Sequence, residues 1–192
     1  MAESRILLTF KKNDLPELDE IKLIKAARRD PRLFGELYKR YVERIYRYLF
    51  SRIGNVHDAE DATAQTFMAA FESFDRFRQD KQLAAWLFTI ARNKAMDHFR
   101  RQARTPIVDE NNDFPDENEP ISDVIQSEQT LILSKLIQSL PTDDRELLRL
   151  RFLAELSFPE MAHLLHRKEE AVKKSTYRLL ARLKSQAEVS NE

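Results

Sequence analysis

The chain of 192 residues has no cysteine, only two glycines (Gly35 and Gly54), and no apolar run of membrane-spanning length. Without cysteine there are no structural disulfides, no thiolate nucleophile and no zinc site built on thiolates. Two glycines are too few for glycine-rich phosphate loops or nucleophile elbows, whose tight turns need that residue. A bilayer requires about 18 to 20 consecutive apolar residues, and the opening MAESRILLTFKK has no signal-peptide core. A soluble cytoplasmic protein without membrane insertion is expected. Runs of alternating polar and apolar residues are also missing, so an all-α fold is expected. The four histidines (His57, His98, His163, His166) are scattered. His163 and His166 alone share a helical spacing, and no further ligand recurs at metal distance, so neither metal nor other cofactor is expected. These absences leave no residues to carry an enzyme mechanism.

What is present is segregated charge. The formal net charge of zero is divided into blocks: residues 21–106 hold 18 basic and 10 acidic side chains, residues 107–134 none and 8, and residues 135–192 hold 11 and 9. Within the last block, Arg167, Lys168, Lys173, Lys174, Arg178, Arg182 and Lys184 cluster against Glu169 and Glu170. Two separated basic regions are the electrostatic footprint of a bipartite nucleic-acid binder. The acidic stretch TPIVDENNDFPDENEPISD contains three prolines and almost no hydrophobic periodicity. It cannot bury enough apolar area to offset its ordering entropy and reads as a linker. Its role is either that of a solvated spacer or that of a polyanion occupying a basic channel.

The organisation that follows is an extension at 1–20, a domain at 21–105, a linker at 106–127, a second domain at 128–186 and a tail at 187–192. Asp30-Pro31 opens a helix that runs to about Arg52, with Phe34, Leu37, Tyr38, Tyr41, Ile45, Tyr48 and Leu49 as its stripe. Those tyrosines are either core or a base-stacking platform. A second helix spans about 57–74. Its core face is Thr63, Phe67, Ala70, Phe71 and Phe74, and Asp61, Gln65, Met68 and Glu72 share a polar one. A third, LAAWLFTIARNKAMDHFRR (83–101), is apolar on two sides. Leu83, Trp86, Leu87 and Ile90 suit packing, while Phe88, Ala95 and Phe99 lie nearly opposite with Arg92 among them. Aromatics interleaved with cations suit an unpaired DNA strand; the alternative is that another helix, such as 21–29, covers that face.

Beyond the linker, helices are expected at 127–140 and 142–156, broken by Pro141. Ser157 and Glu160 form a capping box that opens a short helix with Met161, Ala162, Leu164 and Leu165. A turn near His166 leads to a helix with Ala171, Val172, Leu179, Leu180 and Leu183 inward and Lys173, Lys174, Ser175, Tyr177 and Arg178 at least partly outward. A short helix, a tight turn and a longer basic helix form the helix-turn-helix plan, whose second helix enters the major groove.

These residues resemble the extracytoplasmic-function, or group-four, bacterial sigma factors of the sigma-70 family, over roughly 21–104 and 128–186. DAEDATAQTF (58–67) is similar to the segment that docks on the clamp coiled coil of the largest polymerase subunit. WLFTIARNKAMDHFRR (86–101) is similar to the promoter-melting and −10-reading segment. LIQSLPTDDRELLRLRFLAELSFPEMAHLL followed by AVKKSTYR is similar to the −35-reading domain. The resemblance implies a sigma region 2 bundle and a sigma region 4 helix-turn-helix. It implies that Asp58, Asp61, Gln65, Thr66 and Phe67 dock on core polymerase. It further implies that Arg76, Phe77, Lys81, Gln82, Phe88, Arg92, Asn93, Lys94, Arg100 and Arg101 engage −10 DNA, and that Arg167, Lys168, Lys173, Lys174, Ser175, Tyr177 and Arg178 engage −35 DNA. The partners implied are core RNA polymerase (clamp coiled coil and flap region), promoter DNA and an anti-sigma factor.

The chain departs from the family pattern at Ala64-Gln65, where Gln-Glu is common, and at His166, where glycine is usual. The first change removes a carboxylate from the docking face. The competing readings are a sigma-like decoy that binds an anti-sigma factor without DNA, and a helix-turn-helix regulator that would leave the first three helices without a task.

Overall fold

The computed structural model describes residues 17–78, 82–104 and 135–189. The expectations for residues 1–16, Lys81, the acidic linker, most of the 127–140 helix and the last three residues lie outside the described residues. Every regular element among those described is helical, as two glycines and the absence of period-two patterning require.

The first unit comprises α1 (Glu17–Arg29), α2 (Phe34–Ile53), α3 (Val56–Ser73) and α4 (Leu83–Gln102). Asp30 caps the entry to α2: its side chain accepts from the Arg32 amide at 3.0 Å, and Pro31 starts a 3-10 turn that runs into the helix. Gly54 ends α2 in the left-handed region at φ 82°, donating its amide to Phe50 O. Asn55 then caps α3 by accepting from the Asp58 amide. Leu37, Tyr41, Ile45, Tyr48 and Leu49 on α2 are buried. Tyr41 and Tyr48 are thus core residues, while Tyr38 stays 43% exposed, edge-on to Phe67. Phe71, expected inside, is 51% exposed although one edge meets Phe34 at 5.2 Å.

The second unit begins with a helical turn at 135–138. Next come α5 (Thr142–Leu148), a π-helical turn (Arg149–Leu153), α6 (Phe158–Leu165) and α7 (Glu169–Val189). The Ala154 amide reaches back five residues to Arg149 O at 2.8 Å, which widens the helix end. Glu155 follows at φ 53°, turning the chain sharply. The Ser157–Glu160 capping box forms with both reciprocal hydrogen bonds. His166 occupies the left-handed turn position (φ 52°, ψ 42°), and Arg167 N–H donates to Ala162 O at 3.0 Å to close it. On α7, Val172, Thr176, Leu179 and Leu183 face the core, whereas Ala171, expected inward, is exposed. The inward register starts at Val172 because the tight turn rotates the first residues of α7 toward solvent.

The two units pack on each other through α2 and α4. Arg44, Arg47, Tyr48, Ser51 and Arg52 lie at three- and four-residue steps and so share one helix face. Arg44 donates to Ala154 O (Nε at 3.0 Å) and Glu155 O (3.3 Å), satisfying carbonyls that the helix end leaves open. Arg47 pairs with Glu155 at 2.9 Å, and Arg149 donates to Ser51 O at 2.9 Å. Helix α6 also lies against α4.

Candidate functional site

Three surfaces carry the residues singled out by sequence. The first is the outer face of α3. Asp61 is exposed, Asp58 and Gln65 are half-buried, and all three line an open cleft of about 280 Å³ with Ala62, His98, Arg101 and Gln102. His98 Nε2 stands 3.9 Å from the Asp58 carboxylate across this cleft. Thr66 and Phe67 do not belong to the surface. Thr66 is fully buried with its hydroxyl bonded to Ala62 O, and Phe67 is 6% exposed under Tyr38. At 100° per residue they fall on the side of α3 that meets α2. The side chains that do project beside Gln65 are Met68, 63% exposed, and Phe71, with Tyr38 adjacent on α2. Met68 was legible as a member of the polar face; Phe71 was assigned to the core because its spacing fits both faces.

The second surface is that of α4. The structure places Phe88 in the core, with 0% exposure. It meets Tyr48 edge-on at 5.4 Å and lies beneath the Arg44 guanidinium at 5.8 Å. Ala95 is equally buried. The face read as a platform for separated DNA is therefore only partly open: Phe88 is covered by Tyr48 and Arg44 of α2, the Phe158–Leu165 helix of the second unit also lies against α4, and Phe99 stays 40% exposed, with residues 21–29 packed elsewhere. Helix α1 packs elsewhere, with Arg28 over the Phe77 ring at 5.8 Å and Glu20 accepting from the Tyr41 hydroxyl at 2.6 Å. Phe77 is also inside, stacked on Trp86 at 4.7 Å, because the 3-10 turn at Phe74–Arg76 folds it back onto α4. Arg76, Asn93, Arg100 and Arg101 are exposed, Lys94 is half-buried, and Gln82 is half-buried with its Oε1 sealed from solvent.

Arg92 leads to a cluster that sequence reasoning missed. Its Nε lies 3.8 Å from Glu146, a carboxylate of α5 that is 7% exposed. Glu146 accepts from the Tyr48 hydroxyl at 2.7 Å and from Arg52 at 2.9 Å, and Arg149 is 3.9 Å away. Burial opposes the charge of Arg52, but the neighbouring Tyr48 and Glu146 outweigh it and raise its pKa. Arg149, around the same carboxylate, is lowered: burial acts first, Glu146 offsets it only in part, and Arg52 and Arg145 add repulsion. The difference follows from distance, since Glu146 is committed to Arg52. Burial, reinforced by Glu146, raises the Tyr48 hydroxyl, so it remains a donor. No periodicity marks Glu146, whose neighbours in sequence, Thr142 to Arg145, are polar.

The third surface is α7. Lys173, Lys174, Tyr177 and Arg178 project together into solvent, and Ser175 is half-buried. Arg167, at the turn, donates to the Ser175 hydroxyl at 3.1 Å. Tyr177 leans on Phe158 at 5.6 Å, which in turn lies under Arg151 at 4.8 Å. Lys168 is exposed at the start of the helix, where its carbonyl accepts from Ala171 and Val172.

Residues 37–105 match the family model of sigma-70 region 2, and residues 130–183 match that of sigma-70 region 4. The extracytoplasmic-function (ECF) RNA polymerase sigma factor BldN of Streptomyces coelicolor is 35% identical over 155 residues, covering 78% of this chain and 58% of that protein. The chain thus spans less than two thirds of BldN. ECF sigma factor SigM of Bacillus subtilis is 32% identical over 151 residues, covering 78% of this chain and 92% of SigM. Among solved structures, CnrH in complex with the cytosolic domain of CnrY superimposes with a TM-score of 0.63 at 26% identity, covering 88% of this chain and 97% of that one. RpoE of Bartonella quintana in complex with the anti-sigma factor NepR shares the fold, at 22% identity and a TM-score of 0.58 over 81% of this chain and 97% of that one. The order of the two matched regions, the two helical units that carry them and the level of identity agree: the chain belongs to the ECF class of the sigma-70 family of RNA polymerase sigma factors.

Proposed function

We propose that the chain binds core RNA polymerase and directs promoter-specific initiation, with the unit at 21–105 docking and reading the −10 element and the unit at 128–186 reading the −35 element. The observation that carries this reading furthest is α7. Its apolar and threonine side chains are anchored inside a helix-turn-helix, while Lys173, Lys174, Tyr177 and Arg178 point outward on one face. That is the disposition of a recognition helix in a major groove: cations for the phosphates and an aromatic for base edges. Asp61, Gln65, Met68 and Phe71 on α3 present a mixed apolar and acidic surface suited to a helical partner, and they supply the polymerase contact in place of the buried Thr66 and Phe67. Arg76, Asn93, Lys94, Arg100 and Arg101 supply the −10 contacts, with the half-buried Arg92 beside them. No covalent chemistry is assigned to the chain. It acts in the cytoplasm and joins the nucleoid when bound to polymerase, and an anti-sigma factor is its expected regulator.

Run-off transcription tests the proposal. Core polymerase supplied with the chain and a genomic promoter library should initiate at discrete start sites, and mapping these gives both promoter elements. If core plus chain starts no better than core alone on any template, the reading is wrong.

A further inference from the structure

We infer that Met68 is a reversible oxidation site: a hydroperoxide converts its exposed thioether to the sulfoxide and so weakens the hold of α3 on core polymerase. The inference rests on the proposed docking role of α3 and adds a chemical control on that surface.

The chain has no cysteine, so its oxidisable sulfur is confined to four methionines. Met161 is sealed in the second unit at 0% exposure and Met96 is half-buried on α4, whereas Met68 is 63% exposed; Met1 lies outside the described residues. Among the described residues, the thioether that peroxide reaches first is therefore that of Met68. Its surroundings make the polarity of that sulfur matter. Ala64 is exposed one helical turn before it, Phe71 follows three residues on, and Tyr38 of α2 stands beside them over the buried Phe67. Where the family commonly carries Gln-Glu, Ala64-Gln65 presents a methyl group and an amide. The patch thus has less charge with which to hold a partner and depends more on its adaptable apolar side chain.

The chemistry balances. A sulfur lone pair attacks one oxygen of hydrogen peroxide and the O–O bond breaks. The transferred oxygen gives its proton to the departing hydroxide, which leaves as water; sulfur is oxidised by two electrons and the peroxide is reduced by two. The product is a polar S–O group, which in an apolar interface is either stripped of water without a partner or keeps the interface wet. A methionine sulfoxide reductase restores the thioether with a dithiol as reductant, which becomes a disulfide while the oxygen leaves as water. Docking covers Met68, so the oxidant acts on the free chain.

Met68, Met96 and Met161 fall on three different tryptic peptides, so mass spectrometry separates them. The full-length free chain is treated with hydrogen peroxide for increasing times, quenched with catalase and divided between digestion and titration with core polymerase. The peptide of residues 53–76 should gain one oxygen before those carrying Met96 and Met161. The oxidised chain should bind core about tenfold more weakly, with an unchanged melting temperature because the side chain touches water. Methionine sulfoxide reductases with dithiothreitol should restore the affinity. Met68→Leu, whatever its own affinity for core, should show no further change on peroxide treatment. Oxidation of Met96 or Met161 ahead of Met68, a Met68 sulfoxide that binds core as the thioether does, or an equal peroxide effect on Met68→Leu each overturns the inference. The docking role has its own readout: bound core should slow the oxidation of Met68. Absence of that protection sinks the docking reading, whereas protection without an effect of the sulfoxide on affinity sinks only the oxidative control.

Discussion

The Tyr48 hydroxyl donates to the Glu146 carboxylate across 2.7 Å of space and 98 residues of chain. Tyr48 is fully buried and Glu146 nearly so, so each satisfies a group the other has removed from water. Tyr48→Phe removes the donor and leaves the carboxylate short of one partner. A loss of about 1–3 kcal/mol in urea unfolding is expected.

The same pair sets an alkaline limit. Burial, then Glu146, raises the Tyr48 pKa, and burial, then Glu20, raises that of Tyr41. Below the unfolded value of about 10 both states hold the proton and the stabilisation is complete. Above it the unfolded tyrosine loses its proton while the folded one keeps it. Stability therefore falls by about 1.4 kcal/mol per pH unit for each tyrosine until the folded pKa is reached. Tyr48→Phe should flatten that slope by one tyrosine's share above about pH 10. An unchanged slope would show that Tyr48 titrates as it does in the unfolded chain.

The two glycines should respond in opposite directions to alanine. A Cβ at Gly35 meets nothing within 4 Å, so Gly35→Ala should stabilise by about 0.5–1 kcal/mol by restricting the unfolded chain. Gly54 sits at φ 82°, where a Cβ crowds the carbonyl, and Gly54→Ala should destabilise by about 1–2 kcal/mol. Melting temperatures of the pair, read by circular dichroism, give the two signs.

On the polymerase side, Met68→Asp should weaken core binding at least about tenfold, as expected for an exposed apolar anchor. The melting temperature should hardly move, because the side chain touches water rather than core. Phe67→Ala should do the reverse in the first instance, lowering stability by about 3–5 kcal/mol as a core truncation does. Titration of core polymerase against each variant, beside its melting curve, separates the two positions.

Lys174→Ala and Arg178→Ala should lower the salt dependence of holoenzyme binding to a mapped promoter. Each lysine or arginine withdrawn from a phosphate reduces the slope of log affinity against log salt by about 0.9. A variant whose slope matches the unsubstituted chain's shows that the replaced side chain does not touch a phosphate.

The capping box at Ser157, the cap at Asp30, the tight turn near His166 and the outward cations of α7 were all legible in the sequence. They depend on neighbours within one or two turns, and chemistry at that range is written in residue type and spacing. Phe67 is buried on the core face that its spacing indicated, but the burial of Phe77 and Phe88 was not legible, for the opposite reason. An aromatic ring suits a core and a stacking platform equally, and spacing reports only which residues share a face. Whether that face meets a partner helix depends on where distant segments arrive. Glu146 shows the same limit, since its burial is set by Tyr48 and Arg52, far away in the chain.

The sequence by itself therefore determined that the protein is helical, that it is built as two units with basic charge at two separated places, and that its second unit is a helix-turn-helix. Glycine scarcity, 3.6-residue periodicity and charge blocks are properties of the chain alone. Only the tertiary structure decided that Phe88 and Ala95 on the second apolar side of α4 are covered while Phe99 stays exposed, that Arg92 faces a carboxylate, and that Phe71 on α3 is exposed while Thr66 is buried. Each of these turns on which surfaces are removed from water when separate helices meet, a quantity defined between elements rather than within them.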